Sequence, residues 1–518
     1  MADILKLQCD AWLLPTDSRI NIRSYWADAH PNLQQLAEAS CDERFRSGQS
    51  HAAAVLSWDQ GTPVPILTAV PDDGHWSREV VAERLDAFVN VALRALGGPS
   101  SGRPYRLLAL PFFGTHGGGA GSHLGAALRA ILNSISVLSL RHEVDIILVL
   151  QDRAAFSLAQ KLRREVINNS PWTSLGPLRH EKAKALGQQA RIGQLVPFLG
   201  AGVSVSAGAP TWQELLDRLR EGIQLQDVQI SAFESLAPLD QAGVLEQFYI
   251  EQHGSREAFG KAIASAVDLS RYGLAPALLA TIPSAGAITL NYDRLFEMAC
   301  FDAQQARTVI PESVPAVGNK WLLKLHGSVK QPESIVLTRD DYLGYSSNRA
   351  ALSALVKAHL LTHHLLFVGF GLADDHFYEI VHDVRRAMPA KTTDGNQMGT
   401  VLSLFDEPLQ RVVWSGNLDI LPMAGAAPGK NSKHEDAALA MAAAGRELEI
   451  FLDMMAAYAT DNHSYLLAPA YNGGLSDEEA ELRQQLLNLA NRKRTTQTAE
   501  VWQVIDRALR DLGLPAQH

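Results

Sequence analysis

Residues 195–204 of this chain read LVPFLGAGVS, an apolar run that ends in Gly-Ala-Gly and then a small hydroxyl residue. A buried strand that ends in such a turn can direct backbone N–H groups toward a ligand at the start of a helix, with no side chain in the way. The pattern is therefore typical of a turn at which a diphosphate can bind. A tight strand-to-helix turn without a ligand is the alternative, because glycine also adopts torsion angles that other residues avoid.

Three later apolar runs end in residues that suit the same kind of ligand. In the segment TLNYD, Asn291 and Asp293 follow a strand and can hydrogen-bond a ribose or orient a water. In LHGS, His326 carries an imidazole that titrates near neutral pH, which suits a general base. In GFG, Gly369 and Gly371 end another strand and can hold a nucleotide against the backbone. The alternatives are a helix cap, a structural histidine and a glycine-rich turn.

Strand-like and helix-like patterns alternate along residues 1–178 and again along 179–458, which predicts an α/β fold with two α/β domains. The second domain is expected to contain a parallel sheet, because its predicted helices begin where its strands end. Its strands are predicted at residues 195–199, 287–290, 320–325, 334–337, 364–369 and 399–405. Residues 459–518 are predicted to be a linker and C-terminal helices, the first opened by a capping box of Ser476 and Glu479.

The composition is that of an ordinary globular protein, with 47% hydrophobic and 20% charged residues. The formal net charge of −10 argues against a nucleic-acid partner, because no excess of lysine and arginine is available to neutralise phosphates. Cys9, Cys41 and Cys300 are far apart in sequence, which excludes a disulfide framework and a four-thiolate zinc site within one chain. No secretory signal or apolar run of membrane-spanning length is visible. We therefore expect a cytoplasmic protein that does not enter a membrane.

The ordered set GAGVS, GAPTW, TLNYD, LHGS and GFG resembles the sirtuin (SIR2) fold, in its branch of bacterial SIR2-like NAD hydrolases. The resemblance implies a Rossmann-like domain that takes NAD as its substrate and needs no metal. It implies that Asn291 holds the nicotinamide ribose and places the attacking water, that His326 contacts the ribose hydroxyls or acts as general base, and that Asp293 supports the pocket. It assigns NAD binding to Gly200, Ala201, Gly202, Ser204, Thr289, Gly369, Gly371 and Asp375.

Two departures from the deacylating sirtuins bear on the reaction. Their four-cysteine zinc ribbon cannot be built from three scattered cysteines, and Thr211-Trp212-Gln213 stands where those enzymes have Asp-Phe-Arg. Both departures favour cleavage of the N-glycosidic bond of NAD over removal of acyl groups from peptides. NAD-dependent deacylation and ADP-ribosyl transfer are the alternative enzymatic interpretations.

In the first predicted domain, a strand runs into the glycine-rich loop FGTHGGGAG and then a helix, and this order resembles a macro domain of the three-layer sandwich type. Macro domains bind ADP-ribose. The resemblance implies that the glycine-rich loop, with Gly114, Gly117, Gly118 and Gly119, holds the distal phosphate and ribose, and that Asp10 lies near the adenine. Hydrolysing macro domains have asparagines where this chain has LPTD at residues 14–17, so ligand sensing is expected instead. A scaffold with a flexible glycine loop is the alternative.

Taken together, the resemblances predict an NAD hydrolase of the anti-phage, abortive-infection type. It would split NAD to nicotinamide and ADP-ribose or a cyclic form, and the macro-like domain would gate it through an ADP-ribose-derived signal. Because such an activity is toxic, we also expect a homo-oligomer or partner that holds it inactive. The non-enzymatic alternative is an adaptor whose two pockets bind nucleotides without turnover.

Overall fold

The computed structural model describes residues 1–59, 61–70, 76–97, 103–114, 123–165, 171–223, 225–388, 397–429, 432–492 and 499–515. The chain forms two compact units. Unit 1 combines Met1–Ser174 with Thr460–His518, and unit 2 is Leu175–Ala459. Each unit has its own β-sheet with helices packed on it, which confirms the predicted α/β class with two α/β domains.

Unit 1 contains a five-stranded sheet in the order β2-β3-β1-β4-β5, in which only β2 is antiparallel to its neighbour. The strands are β1 (Ala11–Thr16), β2 (Ala52–Ala54), β3 (Val64–Ala69), β4 (Leu107–Pro111) and β5 (Asp145–Val149). The helices before the chain enters unit 2 are α1 (Ser24–Ala27), α2 (Leu33–Ser40), α3 (Glu43–Arg46), α4 (Arg78–Leu96), α5 (Leu124–His142) and α6 (Arg153–Glu165). A 3-10 turn, Pro171–Leu175, follows α6.

The core of unit 1 lies between the sheet and the apolar faces of α4 and α5. Leu108 of β4 packs there with Phe88 of α4 and Ile131 of α5, all of them buried. By length and composition alone α5 is apolar enough to cross a membrane, although only 33% of its most apolar window is buried. Three of its buried residues, Ala130, Ile131 and Leu138, belong to this core, so part of the apolar surface of α5 packs within unit 1.

Unit 2 is built on a seven-stranded sheet in the order β12-β11-β10-β6-β7-β9-β8, and every strand pair in it is parallel. The strands are β6 (Leu195–Leu199), β7 (Gly286–Thr289), β8 (Thr308–Ile310), β9 (Trp321–Lys324), β10 (His364–Val368), β11 (Gly399–Ser403) and β12 (Leu418–Pro422). The chain moves outward from β6 to β7 on one side and returns to β10 on the other. This reversal makes the carboxyl ends of β6 and β10 the topological switch point, where open α/β sheets bind ligands.

Twelve helices of unit 2 are described. Five of them lie between β6 and β7, and the first four of these five form a helical insertion. The twelve helices are α7 (Gly176–Arg191), α8 (Trp212–Glu221), α9 (Asp227–Glu234), α10 (Pro238–His253), α11 (Arg256–Val267), α12 (Leu274–Thr281), α13 (Leu295–Asp302), α14 (Arg339–Asn348), α15 (Ala350–Thr362), α16 (Asp375–Ala387), α17 (Pro408–Val413) and α18 (His434–Ala459). Helices α8–α11 share an apolar cluster that includes Leu216, Leu245 and Ile263. Tyr292 and Leu337, from loops that follow β7 and β9, belong to the same cluster, so the insertion packs beside the carboxyl edge of the sheet.

The predicted strand at residues 334–337 is wrong, because no sheet strand forms there. A 3-10 turn, Pro332–Ser334, precedes an extended segment whose Val336 N–H donates to the His326 carbonyl at 2.9 Å. Ile335 and Leu337 of this run are buried in the cluster of the helical insertion, which explains a strand-like pattern without a strand. The helix that follows β7 begins at Leu295, which leaves Asn291 in a loop.

The C-terminal segment belongs to unit 1, whereas the sequence predicts a separate linker and helices at 459–518. It contains a 3-10 turn (Pro469–Gly474), α19 (Asp477–Ala490) and α20 (Ala499–Asp511). Tyr465 and Tyr471 are buried against Leu128 and Leu158. The Tyr471 hydroxyl also donates to Asp152 at the start of α6. The packing surface comes from residues more than 300 positions earlier in the chain, and local sequence patterns do not indicate it.

Candidate active site

The two glycine turns of unit 2 meet at the switch point between β6 and β10. Gly200 N–H donates to the Val368 carbonyl, and Gly202 N–H donates to the Gly369 carbonyl, both at 3.0 Å. A Cβ on Gly200 would lie 2.4 Å from the Gly369 oxygen, and Gly369 itself has a φ of +64°. Only glycine permits this close approach and this torsion. The turn that the sequence predicts as a phosphate site therefore also has a structural reason for its glycines.

This packing limits which backbone groups of the predicted diphosphate site remain for a ligand. The N–H groups of Gly200 and Gly202 donate to carbonyls of the neighbouring turn, and the Ser204 N–H donates to the Ala201 carbonyl at 3.0 Å. These three donors are used within the protein, so they do not form an open cradle of N–H groups. Gly371, in contrast, has open space around its Cα, which leaves room for a ligand to approach.

Hydrogen bonds of its backbone and its side chain hold Asn291 at the carboxyl ends of the neighbouring strands β6 and β7. Its N–H donates to Thr289 Oγ1 at 3.0 Å, and that hydroxyl donates to the Leu199 carbonyl at 3.1 Å. Its Nδ2 donates to the Gly200 carbonyl at 3.1 Å and to Ser204 Oγ at 3.2 Å. The remaining atom, Oδ1, is buried and has no hydrogen-bond partner among the described residues. Asn291 therefore presents a fixed acceptor to a hydroxyl group or a water.

The Asp293 carboxylate stabilises the same loop through two hydrogen bonds. Its Oδ2 accepts from Ser204 Oγ at 2.8 Å, and its Oδ1 accepts from the Leu295 N–H at 2.9 Å. Burial raises the pKa of the Asp293 carboxyl, while the nearby Lys324 ammonium opposes that shift. With both oxygens engaged, Asp293 fits the supporting role that the resemblance implies.

Lys324 is a positioning group that the sequence analysis missed. Only 1% of it is exposed, yet it lies at the end of β9 beneath the Asn291 loop. Its Nζ donates to the carbonyl of Tyr292 at 3.2 Å and to that of Asp293, and pairs with Glu297 Oε1 at 2.6 Å. The available signal was a single lysine within the otherwise apolar run WLLKL, where a buried charge needs a partner.

His326 is buried two residues beyond β9, with 3% of its surface exposed. Burial lowers the pKa of its imidazole to about 4, against an opposing contribution from the Asp374 carboxylate. The shortest distance between the two groups is 3.7 Å, from Nε2 to Asp374 Oδ2. Rings of Tyr342 and Tyr345 lie edge-on to the imidazole. His326 is therefore neutral at physiological pH, which is the form that accepts a proton.

The strand register brings Asn291 and His326 to the same edge of the sheet. Thr289 pairs with Lys324 across β7 and β9, and Asn291 and His326 each follow their strand's paired residue by two positions. Leu199 pairs with both Thr289 and Val368, which sets the two glycine turns in the same row. The register thus places Asn291, His326 and the two glycine turns at one carboxyl edge of the sheet.

The remaining predicted residue of this edge, Asp375, is exposed in the first turn of α16. Its neighbour Asp374 is the N-cap of that helix, with Oδ1 accepting from the Phe377 N–H at 2.9 Å. Asp374 faces His326, whereas the prediction named Asp375 for the adenosine half. Asp374 and Asp375 are consecutive, but side chains at the start of a helix point to different faces. The Asp374 carboxylate therefore faces His326, and the Asp375 carboxylate is exposed.

One group at this edge has the chemistry of a metal site. The possible ligand atoms of His326, Asp374 and His376 lie within 4.8 Å of one another. His376 bonds the Tyr342 carbonyl through Nε2 at 3.0 Å, and its Nδ1 is buried without a partner among the described residues. Imidazole and carboxylate together suit zinc and similar divalent metals. The sequence predicts a reaction that needs no metal, and a chelation experiment distinguishes the two.

Of the candidate ADP-ribose residues of unit 1, the two that the structure describes, Asp10 and Gly114, are not brought together. Asp10 precedes β1, where its Oδ2 accepts from the Leu107 N–H at 2.6 Å and its Oδ1 pairs with Arg106 at 3.1 Å. Gly114 follows the carboxyl end of β4, with a φ of +76°. Because β1 and β4 are parallel, Asp10 and Gly114 lie at opposite edges of the sheet. Asp10 therefore fixes the start of two strands, and Gly117, Gly118 and Gly119 lie outside the described residues.

Comparison with known proteins supports the sirtuin-like interpretation of unit 2. Residues 285–412 match the family described as SIR2-like domain. This stretch carries Asn291, His326 and Gly369, but it does not include the Gly200 turn.

Three curated proteins are similar to parts of the chain. Defense-associated sirtuin 2 of Bacillus subtilis is 31% identical over 214 residues, which is 40% of this chain and 21% of that protein. NAD(+) hydrolase ThsA of Enterococcus faecium is 28% identical over 215 residues, covering 39% of this chain and 42% of that protein. ThsA of Bacillus cereus (strain MSX-D12) is 31% identical over 200 residues, covering 37% and 40% respectively. The chain spans less than half the length of these relatives, and its match to the SIR2-like domain family lies within unit 2, at residues 285–412.

Proposed function

We propose that unit 2 hydrolyses the N-glycosidic bond of NAD, and that the protein acts in defence against phage by depleting NAD. The observation that carries this proposal is that two residues follow adjacent strands at one edge of the sheet. They are Asn291, whose Oδ1 has no hydrogen-bond partner among the described residues, and the neutral His326. The names of the relatives, an NAD(+) hydrolase and a defence-associated sirtuin, support the same reaction and setting. The products are nicotinamide and ADP-ribose, or a cyclic form of ADP-ribose.

The reaction follows from the chemistry of the two side chains. As the bond between ribose C1′ and the nicotinamide nitrogen breaks, its electron pair neutralises the pyridinium, and positive charge develops on the ribose. Asn291 Oδ1 accepts a hydrogen bond from the attacking water and holds it near C1′. The water oxygen then bonds to C1′, and its proton passes to the neutral imidazole of His326 and from there to solvent. Positioning and charge stabilisation thus supply the rate enhancement.

Incubation of the full-length protein with millimolar NAD tests the proposal directly. Nicotinamide release, followed by chromatography with and without added ADP-ribose species, is the expected result. An acyl-peptide substrate in parallel distinguishes deacylation from hydrolysis. Tight nucleotide binding by calorimetry without turnover under any of these conditions would contradict the proposal and favour a nucleotide-sensing adaptor.

The pH profile of kcat/KM provides a prediction specific to buried His326. Burial disfavours the imidazolium and lowers the pKa to about 4, so the neutral base is present at every pH above that value. We expect kcat/KM to stay nearly constant from pH 5 to 8 and to fall as the pH approaches 4. A break near the ordinary histidine pKa of about 6.5 would show that His326 is not the base.

Chelation distinguishes the metal-free reaction from one that uses His326, Asp374 and His376 as ligands. We expect prolonged dialysis against EDTA to leave the rate of NAD hydrolysis unchanged, because bond cleavage and water attack are assigned to side chains alone. Metal content measured by mass spectrometry is the control for complete removal. Loss of activity that added Zn²⁺ restores would overturn the metal-free mechanism.

We further propose that unit 1 binds an ADP-ribose-derived signal that controls the activity, and that the protein forms a homo-oligomer. The first part is supported by the parallel arrangement of β1, β4 and β5, with Gly114 following β4 at the carboxyl edge. Calorimetry with ADP-ribose on a variant inactivated at Asn291 measures binding without turnover. Light scattering with and without ADP-ribose measures the oligomeric state. Absence of binding would remove the gating proposal and leave the proposed hydrolysis intact.

A further inference from the structure

Two ring nitrogens at the carboxyl edge of unit 2 are buried and have no hydrogen-bond partner among the described residues. They are His326 Nε2 and His376 Nδ1, in residues that are 3% and 8% exposed. A buried polar atom without a partner costs free energy, so each one requires an explanation. The proposed reaction assigns a proton to His326, but it gives His376 no role.

The hydrogen bond of His376 determines which of its ring nitrogens can bind a ligand. Nε2 lies 3.0 Å from the Tyr342 carbonyl oxygen, and a carbonyl only accepts, so Nε2 carries a proton and donates it. The neutral ring then has its lone pair on Nδ1, which is the atom without a partner. Histidines that bind metals commonly donate their other ring N–H to a backbone carbonyl in this way. His376 therefore has the hydrogen bonding of a metal-binding histidine.

The Asp374 carboxylate adds a third possible ligand at the distance that a metal ion requires. One nitrogen or oxygen atom from each of His326, Asp374 and His376 lies within 4.8 Å of the other two. Asp374 Oδ2 and His326 Nε2 are 3.7 Å apart, which is too far for a hydrogen bond. In a tetrahedral site with metal–ligand distances of about 2.0 to 2.1 Å, the ligand atoms are about 3.3 Å apart. A small side-chain rotation reaches that separation, so a metal between the groups explains a spacing that a hydrogen bond does not.

Neighbouring side chains already hold Asp374 and His376 in place. The Tyr342 hydroxyl donates to Asp374 Oδ2 at 2.9 Å, and Asp374 Oδ1 accepts from the Phe377 N–H at 2.9 Å. An ionised carboxylate oxygen keeps a further lone pair, which remains for a metal. The rings of Tyr342 and Tyr345 stack on His376, with centroid distances of 4.3 and 3.8 Å. Because the ligands are fixed before binding, little conformational freedom is lost when a metal binds.

We propose that His326, Asp374 and His376 form a zinc site whose occupation inhibits NAD hydrolysis. The inhibition rests on the proposed function, whereas the binding of zinc does not. Two imidazoles and a carboxylate are typical zinc ligands and leave the fourth tetrahedral position to a water. A neutral imidazole has a single lone pair, so a zinc-bound His326 cannot accept the proton of the attacking water. Release of the metal restores the base, which makes the zinc-bound form a reversible inactive state.

Cobalt provides a readout of binding that does not depend on turnover. Full-length protein dialysed against EDTA is titrated with Co²⁺, and we expect the visible absorption bands of a tetrahedral site. The bands should saturate at one ion per chain and disappear when Zn²⁺ displaces the cobalt. Absence of saturable bands, with Zn²⁺ binding also absent by calorimetry, would disprove the site.

Two variants remove one ligand each, and a third is their matched control. His376→Gln and Asp374→Asn should each weaken Co²⁺ binding by about 10- to 100-fold or more. Asparagine still caps α16, so Asp374→Asn tests the site even if His376→Gln fails to fold by circular dichroism. His382→Gln makes the same substitution at an exposed histidine of α16 and should bind Co²⁺ as the wild-type protein does. Wild-type affinity in Asp374→Asn and in folded His376→Gln would overturn the assignment of the ligands.

Nicotinamide release by the metal-free protein, measured against buffered Zn²⁺, tests the inhibition. We expect saturating Zn²⁺ to lower the rate at least about 10-fold and excess EDTA to restore it, because the base is blocked only while the metal is bound. Mg²⁺ and Ca²⁺ at the same concentration should not inhibit, since these ions prefer oxygen ligands. His376→Gln and Asp374→Asn should each need at least about 10-fold more Zn²⁺ for half inhibition, relative to their own metal-free rates.

The two readouts separate this proposal from the proposed function. Stimulation by Zn²⁺, or cobalt bands without zinc inhibition of an active enzyme, would overturn the inhibitory role. If the protein releases no nicotinamide under any condition, the proposed hydrolysis fails, while the Co²⁺ titration still decides whether His326, Asp374 and His376 bind a metal.

Discussion

Asn291→Ala is expected to reduce kcat for NAD hydrolysis about 100- to 1000-fold, the loss typical of a removed positioning group in an enclosed site. The side chain bridges β6 and β7 through Nδ2, and its Oδ1 is the free acceptor. Alanine removes both, so the attacking water loses its fixed place near C1′. Steady-state nicotinamide release, measured under the condition that best activates wild-type protein, provides the test.

The interpretation of this loss depends on an intact fold. Removing Nδ2 leaves the Gly200 carbonyl and Ser204 with one partner fewer, which is expected to cost about 1 kcal/mol of stability. Thermal unfolding monitored by circular dichroism should therefore show a small decrease in Tm. Asn319→Ala, at an exposed asparagine of the same unit, should change neither kcat nor Tm. Wild-type turnover in Asn291→Ala would contradict the assignment of Asn291.

Lys324→Met is expected to destabilise unit 2 by about 3 to 5 kcal/mol, the range measured when one partner of a buried ion pair is removed. The substitution leaves the Glu297 carboxylate without its cation in a buried site, where burial already raises its pKa. The carbonyls of Tyr292 and Asp293 lose their donor at the same time. The loop that carries Asn291 should loosen, so kcat is expected to fall as well. Urea unfolding followed by circular dichroism measures the stability change.

Two matched variants identify the origin of this effect. Adding Glu297→Gln to Lys324→Met removes the uncompensated charge and should recover part of the lost stability. Lys357→Met breaks an exposed pair with Asp383 and should change stability little, because solvent screens such pairs. Equal destabilisation by Lys357→Met would show that burial of the Lys324 pair is not the cause.

Five strands of unit 2 were predictable because each is a short apolar run that ends in glycine or a polar residue. The missed strands lack that pattern: β8 has three half-buried residues, and β12 carries Asp419 within its apolar run. The run at residues 334–337 has the apolar pattern but is buried under the helical insertion instead of pairing in the sheet. A local pattern of apolar residues indicates that a segment is buried. It does not indicate whether helices or neighbouring strands cover the segment.

The candidate site was predictable where it depends on strand ends. Asn291 and His326 follow neighbouring parallel strands, so knowing the strands is sufficient to place both at one edge. Lys324 and Tyr342 were missed, since their roles depend on which loop and which helix pack against them. Asp10 is predicted from its motif position to lie near an adenine. In the structure its carboxylate accepts from the Leu107 N–H and pairs with Arg106 at the start of β1 and β4.

The amino-acid sequence by itself determined the α/β class, the Gly-Ala-Gly turn at residues 200–202 and the polar residues that end β7 and β9. These follow from local patterns of apolar, glycine and polar residues, which act over a few positions of the chain. Only the tertiary structure decided that Gly200 and Gly369 interlock, that Lys324 pins the Asn291 loop and that Asp374 faces His326. Each of these contacts joins residues between 30 and 170 positions apart, and the packing of the folded chain alone brings them together.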